Sequence, residues 1–216
     1  MSKEKVISTI EELGVVPVVR AASADEAMRA IDAIKEGGVS VLEITMTVPG
    51  AVGVIEAVVK RYGSDATVGA GTVLDPETAR VCILAGAQFV VSPALNVDTI
   101  AMCRRYGVPI MPGALTPTEV VTAWSAGADF VKVFPCGSVG GASYIKNLKG
   151  PLPQIKLIPT GGVSLKTAAD FIRAGASALG VGTDLVDVKA IREGNAQVVT
   201  DRAKEFVSIV REARAG

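Results

Sequence analysis

The sequence predicts an α/β protein, a closed (β/α)8 barrel preceded by an N-terminal helix. Three observations lead there. Short apolar runs alternate with amphipathic helical stretches along all 216 residues, and such alternation implies a parallel sheet. There are eight of these runs, at intervals of roughly 20–27 residues, in a chain of the length a closed barrel needs, whereas an open doubly wound sheet is usually complete with about five or six strands. No G-x-G-x-x-G follows the first run, as it would in a dinucleotide-binding open sheet. No linker, composition shift or low-complexity segment interrupts the pattern, so residues 1–216 are expected to form one domain.

The elements can be taken in order. Residues 1–13 place Val6, Ile7, Ile10 and Leu13 on one helical face and are expected to lie across one end of the barrel. The strands are "VVPVVR" (15–20), "VLEIT" (41–45), "ATVGAG" (66–71), "QFVVSP" (88–93), "VPIMPG" (108–113), "DFVKVFP" (129–135), "IKLIPTGG" (155–162) and "ALGVG" (178–182). Between them run helices such as "SADEAMRAIDAIKEGG", with Ser23 as N-cap, Glu26 completing a capping box and Gly37 as the stop. The phrases "EGG", "LAGA", "SAGA" and "RAGA" close several helices just before the next strand, the αβ-loop glycine in repeated use.

Composition excludes several functions. The chain has 22 basic and 22 acidic residues and no basic stripe, which argues against a nucleic-acid partner. No apolar stretch is long enough to span a membrane, and the charged N-terminus lacks the apolar core of a signal peptide. Cys82, Cys103 and Cys136 are an odd number at unrelated spacings, as expected of reduced thiols in a cytoplasmic protein. There is no histidine. Ser-His-Asp and Cys-His catalysis are thereby excluded, as is any zinc site built on imidazole, and neither a metal nor a cofactor is expected.

In a barrel of this kind the active site lies at the C-terminal ends of the strands. Strand alternation puts Glu43 on the face opposite Leu42 and Ile44, and Lys132 on the face opposite Val131 and Val133. With the β-branched residues turned to the helix layer, Glu43 and Lys132 share the lumen. A buried ion pair would be weak support for stability. A lysine in a dry interior is disfavoured as its charged form, and a neutral amine attacks carbonyls. With Glu43 moving protons, the two residues make up the machinery of a Schiff-base (class I) aldolase.

Other strand-end residues are expected to hold the substrate. Arg20 and Thr72 lie near Glu43 and are assigned to the carboxylate, with Pro93, Phe134 and Thr160 completing the substrate-binding set. "PTGG" and "GVGTD" follow strands seven and eight, where barrels commonly bind phosphate with glycine N–H groups and a hydroxyl. Gly161, Gly162 and Thr183 are the phosphate candidates. Cys136, with no histidine to activate it, reads as inert packing. Lys146 and Lys149 read as a solvated face, and Trp124 and Tyr144 as packing residues.

"VVPVVRA", "VLEITMTVP", "VGAGTVL", "FVVSP", "PGALTPTE", "VKVFP" and "PTGGV" occur in the order and spacing of the KDPG/KHG aldolase family. These are the 2-keto-3-deoxy-6-phosphogluconate aldolases with their 4-hydroxy-2-oxoglutarate and phosphogalactonate relatives, and the chain resembles them over about residues 10–212. The resemblance implies that Lys132 forms the imine with pyruvate, that Glu43 is the acid/base, and that a homotrimeric barrel cleaves the sugar acid to pyruvate and glyceraldehyde 3-phosphate. Thr47 stands where some members carry an arginine, which leaves the reaction class intact and the particular sugar acid open. Two rival readings are a metal-dependent barrel enzyme, poorly served by a chain without histidine, and a non-catalytic barrel that binds a phosphometabolite.

Overall fold

A computed structural model describes residues 1–215. Nine strand segments run parallel wherever they pair: β1 (Val15–Val19), β2 (Val41–Thr45), β3 (Thr67–Gly71), β4 (Phe89–Val91), β5 (Ile110–Met111), β6 (Gly113–Ala114), β7 (Val131–Val133), β8 (Leu157–Pro159) and β9 (Leu179–Val181). The expected fifth strand is present but split in two at Pro112. A proline has no N–H for the ladder, and here it divides one strand into two sheets, β5-β4-β3-β2-β1-β9 and β6-β7-β8. The Pro112 carbonyl still accepts from Lys132 N–H at 2.9 Å. The opposite seam is closed by the Thr160–Gly180 bridge and by Ser177 N–H donating to the Leu157 carbonyl at 2.9 Å. The result is a (β/α)8 barrel.

Helices α1 (Lys3–Leu13), α2 (Ala24–Glu36), α3 (Ala51–Tyr62), α4 (Pro76–Leu84), α5 (Val97–Arg105), α6 (Pro117–Ser125), α7 (Ala142–Lys149), α8 (Ala168–Arg173), α9 (Val188–Arg192) and α10 (Gln197–Ala215) fill the connections. Among the described residues no helix is long and apolar enough to cross a membrane. Alternation along the strands divides the core. Leu42, Ile44, Val68, Ala70, Val131, Val133 and Leu179 pack outward against the helices, while Val16, Val41, Phe89, Met111, Phe130 and Ile158 fill the lumen. Val6 and Ile10 of α1 join the lumen cluster and plug its lower end, each contributing about 1.5–3 kcal/mol by burial. Two ion pairs tie α1 down, Lys3 to Asp129 at 2.8 Å and Glu11 to Lys156 at 2.9 Å.

The αβ-loop glycines do what their pattern suggests. Gly38, Gly86, Gly127 and Gly175 all have φ between +87° and +101°, a region closed to most side chains. Gly37 caps the end of α2 as expected, with φ of −73°, and Gly38 after it makes the left-handed turn. The capping box expected at Ser23 is only half made. Ser23 accepts from Glu26 N–H, but the Glu26 carboxylate turns away to Arg192. A complete box forms at α6, between Thr116 and Glu119.

Candidate active site

The lumen changes character one layer above the apolar plug. Glu43 of β2 and Lys132 of β7 point into it, 2% and 3% exposed. Glycines make the room. A Cβ on Gly71 would stand 2.0 Å from Glu43 Oε1, one on Gly69 would stand 2.2 Å from the Phe89 ring, and one on Gly180 would stand 2.1 Å from Thr160 Oγ1. The inward glycines of β3 and β9 thus let the neighbouring Glu43, Phe89 and Thr160 lie across them.

Burial pushes the Glu43 carboxyl above its ordinary value, opposed by the nearby charges of Lys132 and Arg20. Glu43 Oε1 is buried with no hydrogen-bond partner among the described residues. Nor does any ion pair join Glu43 to Lys132 among those residues, so the two are neighbours in charge without being locked together. Lys132 Nζ lies 5.2 Å from the centre of the Phe134 ring, and among the described residues Lys132 is the only buried lysine. A buried acceptor left unpaired costs about 1–3 kcal/mol, which a structural ion pair would have avoided.

A cleft of about 140 Å³ opens at the ends of β1, β8 and β9, lined by Arg20, Phe134, Thr160, Gly161, Gly162 and Thr183, six of the residues singled out from the sequence, while Glu43 and Lys132 do not line it. Gly161 and Gly162 have φ of +84° and +77°, and the Gly162 N–H is taken by no backbone carbonyl among the described residues. Their turn is fixed from below, where Cys136 N–H donates to the Thr160 carbonyl and Gly137 N–H to the Gly161 carbonyl, both at 2.9 Å. Thr183 is exposed on the turn after β9. An unpaired backbone donor on a glycine turn, with a hydroxyl and a guanidinium close by, is suited to an anion.

Arg20 was paired with Thr72 in the sequence, but the structure groups it with the glycine turn and Thr183. The reason is topological, because β1 sits between β2 and β9. Thr72 stands at the end of β3, outside that cleft, and is the one non-glycine residue with positive φ (58°) among those described. A β-branched residue in this region costs of the order of 1–3 kcal/mol. It is held there by buried Val73, whose N–H donates to the Val91 carbonyl at 3.1 Å. Pro93 caps β4 and its carbonyl presses on Gly113, where a Cβ would come within 2.2 Å.

Sequence reasoning missed Asp184, a carboxylate beside Thr183 on the cleft wall, although it lay in the quoted "GVGTD". Lys149 is not a freely solvated charge. Its ammonium caps the carbonyls of Pro153 and Ile155 at 2.8 and 2.9 Å. Cys136 is buried, and burial raises its thiol to about 11, which fits inert packing. Tyr144 donates to the Leu115 carbonyl, and Trp124 packs on the core.

A parallel barrel that holds a lysine and an unpaired carboxylate in its lumen, with a glycine-edged cleft at its strand ends, has the layout of a barrel enzyme with its site at the C-terminal face. The chain belongs to the KDPG and KHG aldolase family, whose model matches residues 6–202. It is therefore an aldolase, a carbon–carbon lyase. It is 36% identical to the 2-dehydro-3-deoxy-6-phosphogalactonate aldolase of Escherichia coli strain K12, over 94% of this chain and 97% of that one. It is 33% identical to a 2-dehydro-3-deoxy-phosphogluconate aldolase of Treponema pallidum, over 95% of this chain and 97% of that one. Among solved structures, the KDPG aldolase of Legionella pneumophila with pyruvate captured as a covalent carbinolamine superposes with a TM-score of 0.86 at 27% identity, covering 93% of this chain and 97% of that one.

Proposed function

We propose that the protein is a Schiff-base aldolase that cleaves 2-keto-3-deoxy-6-phosphogluconate, or a close 2-keto-3-deoxy sugar acid, to pyruvate and glyceraldehyde 3-phosphate. The observation that carries this reading is the one buried lysine among the described residues, in the lumen beside a buried carboxylate. The Lys132 amine adds to the C2 ketone, and loss of water leaves an iminium that draws electrons from the C3–C4 bond. Glu43, as carboxylate, takes the proton of the C4 hydroxyl while that bond breaks. The aldehyde departs, and Glu43 returns the proton to C3 of the enamine. Water then adds to the pyruvyl iminium and frees the lysine. Burial favours the protonated carboxyl, so Glu43 is poised both to accept and to give a proton.

The phosphate end of the substrate falls to Gly161, Gly162 and Thr183, with Arg20 as the cation of their cleft. Thr72, Pro93, Phe134 and Thr160 frame the pyruvyl half. No cofactor is required by this chemistry. The relatives divide between the phosphogalactonate and phosphogluconate names, so the sugar acid is decided by a panel. Pyruvate release is measured from gluconate-, galactonate- and hydroxyglutarate-derived acids, with and without phosphate. Cleavage of a phosphorylated 2-keto-3-deoxy acid with the highest kcat/KM supports the reading, and release from none of them rejects it.

The working unit is a homotrimer in the cytoplasm. In support, the outer face around α4 and α5 leaves Leu74, Val81, Leu84 and Val97 between 47% and 64% exposed, an apolar patch of the kind that marks an interface. The three cysteines are all free and buried, as suits a reducing compartment.

A further inference from the structure

Arg202 stands near the start of α10 and reaches back to the loop that carries Thr183. Its Nη1 lies 3.2 Å from Asp187 Oδ2 and donates to the Thr183 carbonyl at 3.5 Å. The other Asp187 oxygen accepts from Ala190 N–H at 3.0 Å and caps α9. The Ala190 N–H and, more weakly, the Arg202 charge hold the Asp187 carboxyl below its ordinary value, so it is charged near neutrality. Inside the loop, the N–H groups of Leu185 and Val186 both turn back on the Gly182 carbonyl, at 3.1 and 2.9 Å, and both side chains are buried. The loop is thus pinned from within by two apolar side chains and from without by one guanidinium, with Thr183 and Asp184 exposed at its tip. A separate arginine fork, from Arg192 to Glu26 at 3.1 Å, anchors α9 to α2 without touching Thr183.

We propose that Arg202 is a positioning residue for the phosphate end of the substrate, acting through the Thr183 loop and deciding how strongly phosphorylated acids are preferred. The proposal rests on the phosphate-site reading above. Two physical effects work together. By holding Asp187 and the Thr183 carbonyl at once, Arg202 fixes the main chain that carries the Thr183 hydroxyl. It also balances charge. Asp184 and Asp187 place two carboxylates on a loop that must receive a dianion, against Arg20 in the cleft and Arg202 behind the loop. Without Arg202, Asp187 faces the incoming anion uncompensated. Lysine would restore the charge, but both contacts come from the one Nη1 at the end of the longer arginine side chain, so the shorter lysine should replace it only in part.

The test compares kcat and KM for a phosphorylated and an unphosphorylated keto acid in Arg202→Ala and Arg202→Lys, with inorganic phosphate as a competing probe. Arg202→Ala should raise KM for the phosphorylated acid about two- to fivefold, the range of a partly exposed ion pair. It should weaken inhibition by phosphate to match, and leave kcat and the unphosphorylated acid little changed. Arg202→Lys should fall between Ala and the native residue. Equal losses on both acids, a loss confined to kcat, or no loss in either variant would overturn the proposal. If Arg202→Ala does not fold, Arg202→Lys decides, with a partial loss expected and none refuting. Thr183→Val, measured alongside, separates the two layers. If it too leaves the preference for phosphate unchanged, the phosphate site itself is misplaced; if it erodes the preference while the Arg202 variants do not, only the positioning role fails.

Discussion

Adding one methyl group at Gly71 should disable the Glu43 carboxylate without substituting it. A Cβ there would stand 2.0 Å from Oε1 and 2.6 Å from both Cγ and Cδ of Glu43. Such contacts do not fall below roughly 3.0 Å, so Oε1 must retreat by about 1 Å or more. Gly71 lies in a regular strand with no positive φ, which makes alanine compatible with its backbone, and the group displaced is the end of a flexible side chain. The stability cost should therefore stay near 1 kcal/mol, while a 1 Å misplacement of a catalytic group costs about 10²-fold in rate, equivalent to about 2.7 kcal/mol. Pyruvate release coupled to lactate dehydrogenase gives the rate, and thermal unfolding the stability. Gly53→Ala is the matched control. It is exposed on α3 with nothing near its would-be Cβ, and should gain about 0.5–1 kcal/mol with unchanged activity. A folded Gly71→Ala protein that turns over at the native rate would show that the position of Glu43 does not matter, and the proposed proton transfer would go with it.

Further expectations concern the same site and its surroundings. Glu43→Gln should bind pyruvate yet lose orders of magnitude in rate, and it should be more stable than the native protein at pH 7. The folded state holds the Glu43 proton more tightly than the unfolded chain, so its stabilising effect is complete below the ordinary value of 4.5 and is lost as pH rises through the folded value. Calorimetry should find a gain of about 1 kcal/mol at pH 7, shrinking towards acid; a net loss at pH 7 would mean that attraction to Lys132 and Arg20 outweighs burial. Thr183→Val should lower kcat/KM for phosphorylated acids about ten- to a hundredfold while sparing unphosphorylated ones, the effect of one charge-assisted bond. Gly162→Val is a blunter probe, because its φ of +77° and a Cβ 2.8 Å from Gly137 Cα would distort the turn as well. Leu84→Arg should shift light scattering from trimer towards monomer; a native chain that is already monomeric at micromolar concentration would contradict the assembly.

Much of this was legible in the chain because parallel strands impose a period of two. That period, with the β-branched residues turned to the helices, put Glu43 and Lys132 in the lumen and Val131 and Val133 outside it. The α1 plug was legible from Val6 and Ile10 on one helical face. What escaped is non-local. The break at Pro112 depends on which side of the strand needs a donor, which "VPIMPG" does not reveal. The grouping of Arg20 with Thr183 follows from closure between β1 and β9, a neighbour relation across most of the sequence. The roles of Gly71 and Gly180 emerge only once register sets them beside Glu43 and Thr160, although their place on the inward face was a usable signal. Arg202 carried no mark at all, since one arginine on an amphipathic helix resembles any other until the loop it reaches is known.

The central claim is that Lys132 is the nucleophile, and the direct measurement is borohydride reduction in the presence of pyruvate, followed by peptide mass mapping. The native protein should gain the mass of one reduced pyruvyl group, located on Lys132, and lose activity in step with labelling. Lys132→Met should take up no label and turn over no substrate, since no other described lysine is buried. Label on another residue, label persisting in Lys132→Met, or turnover without any trapped pyruvate would contradict the account.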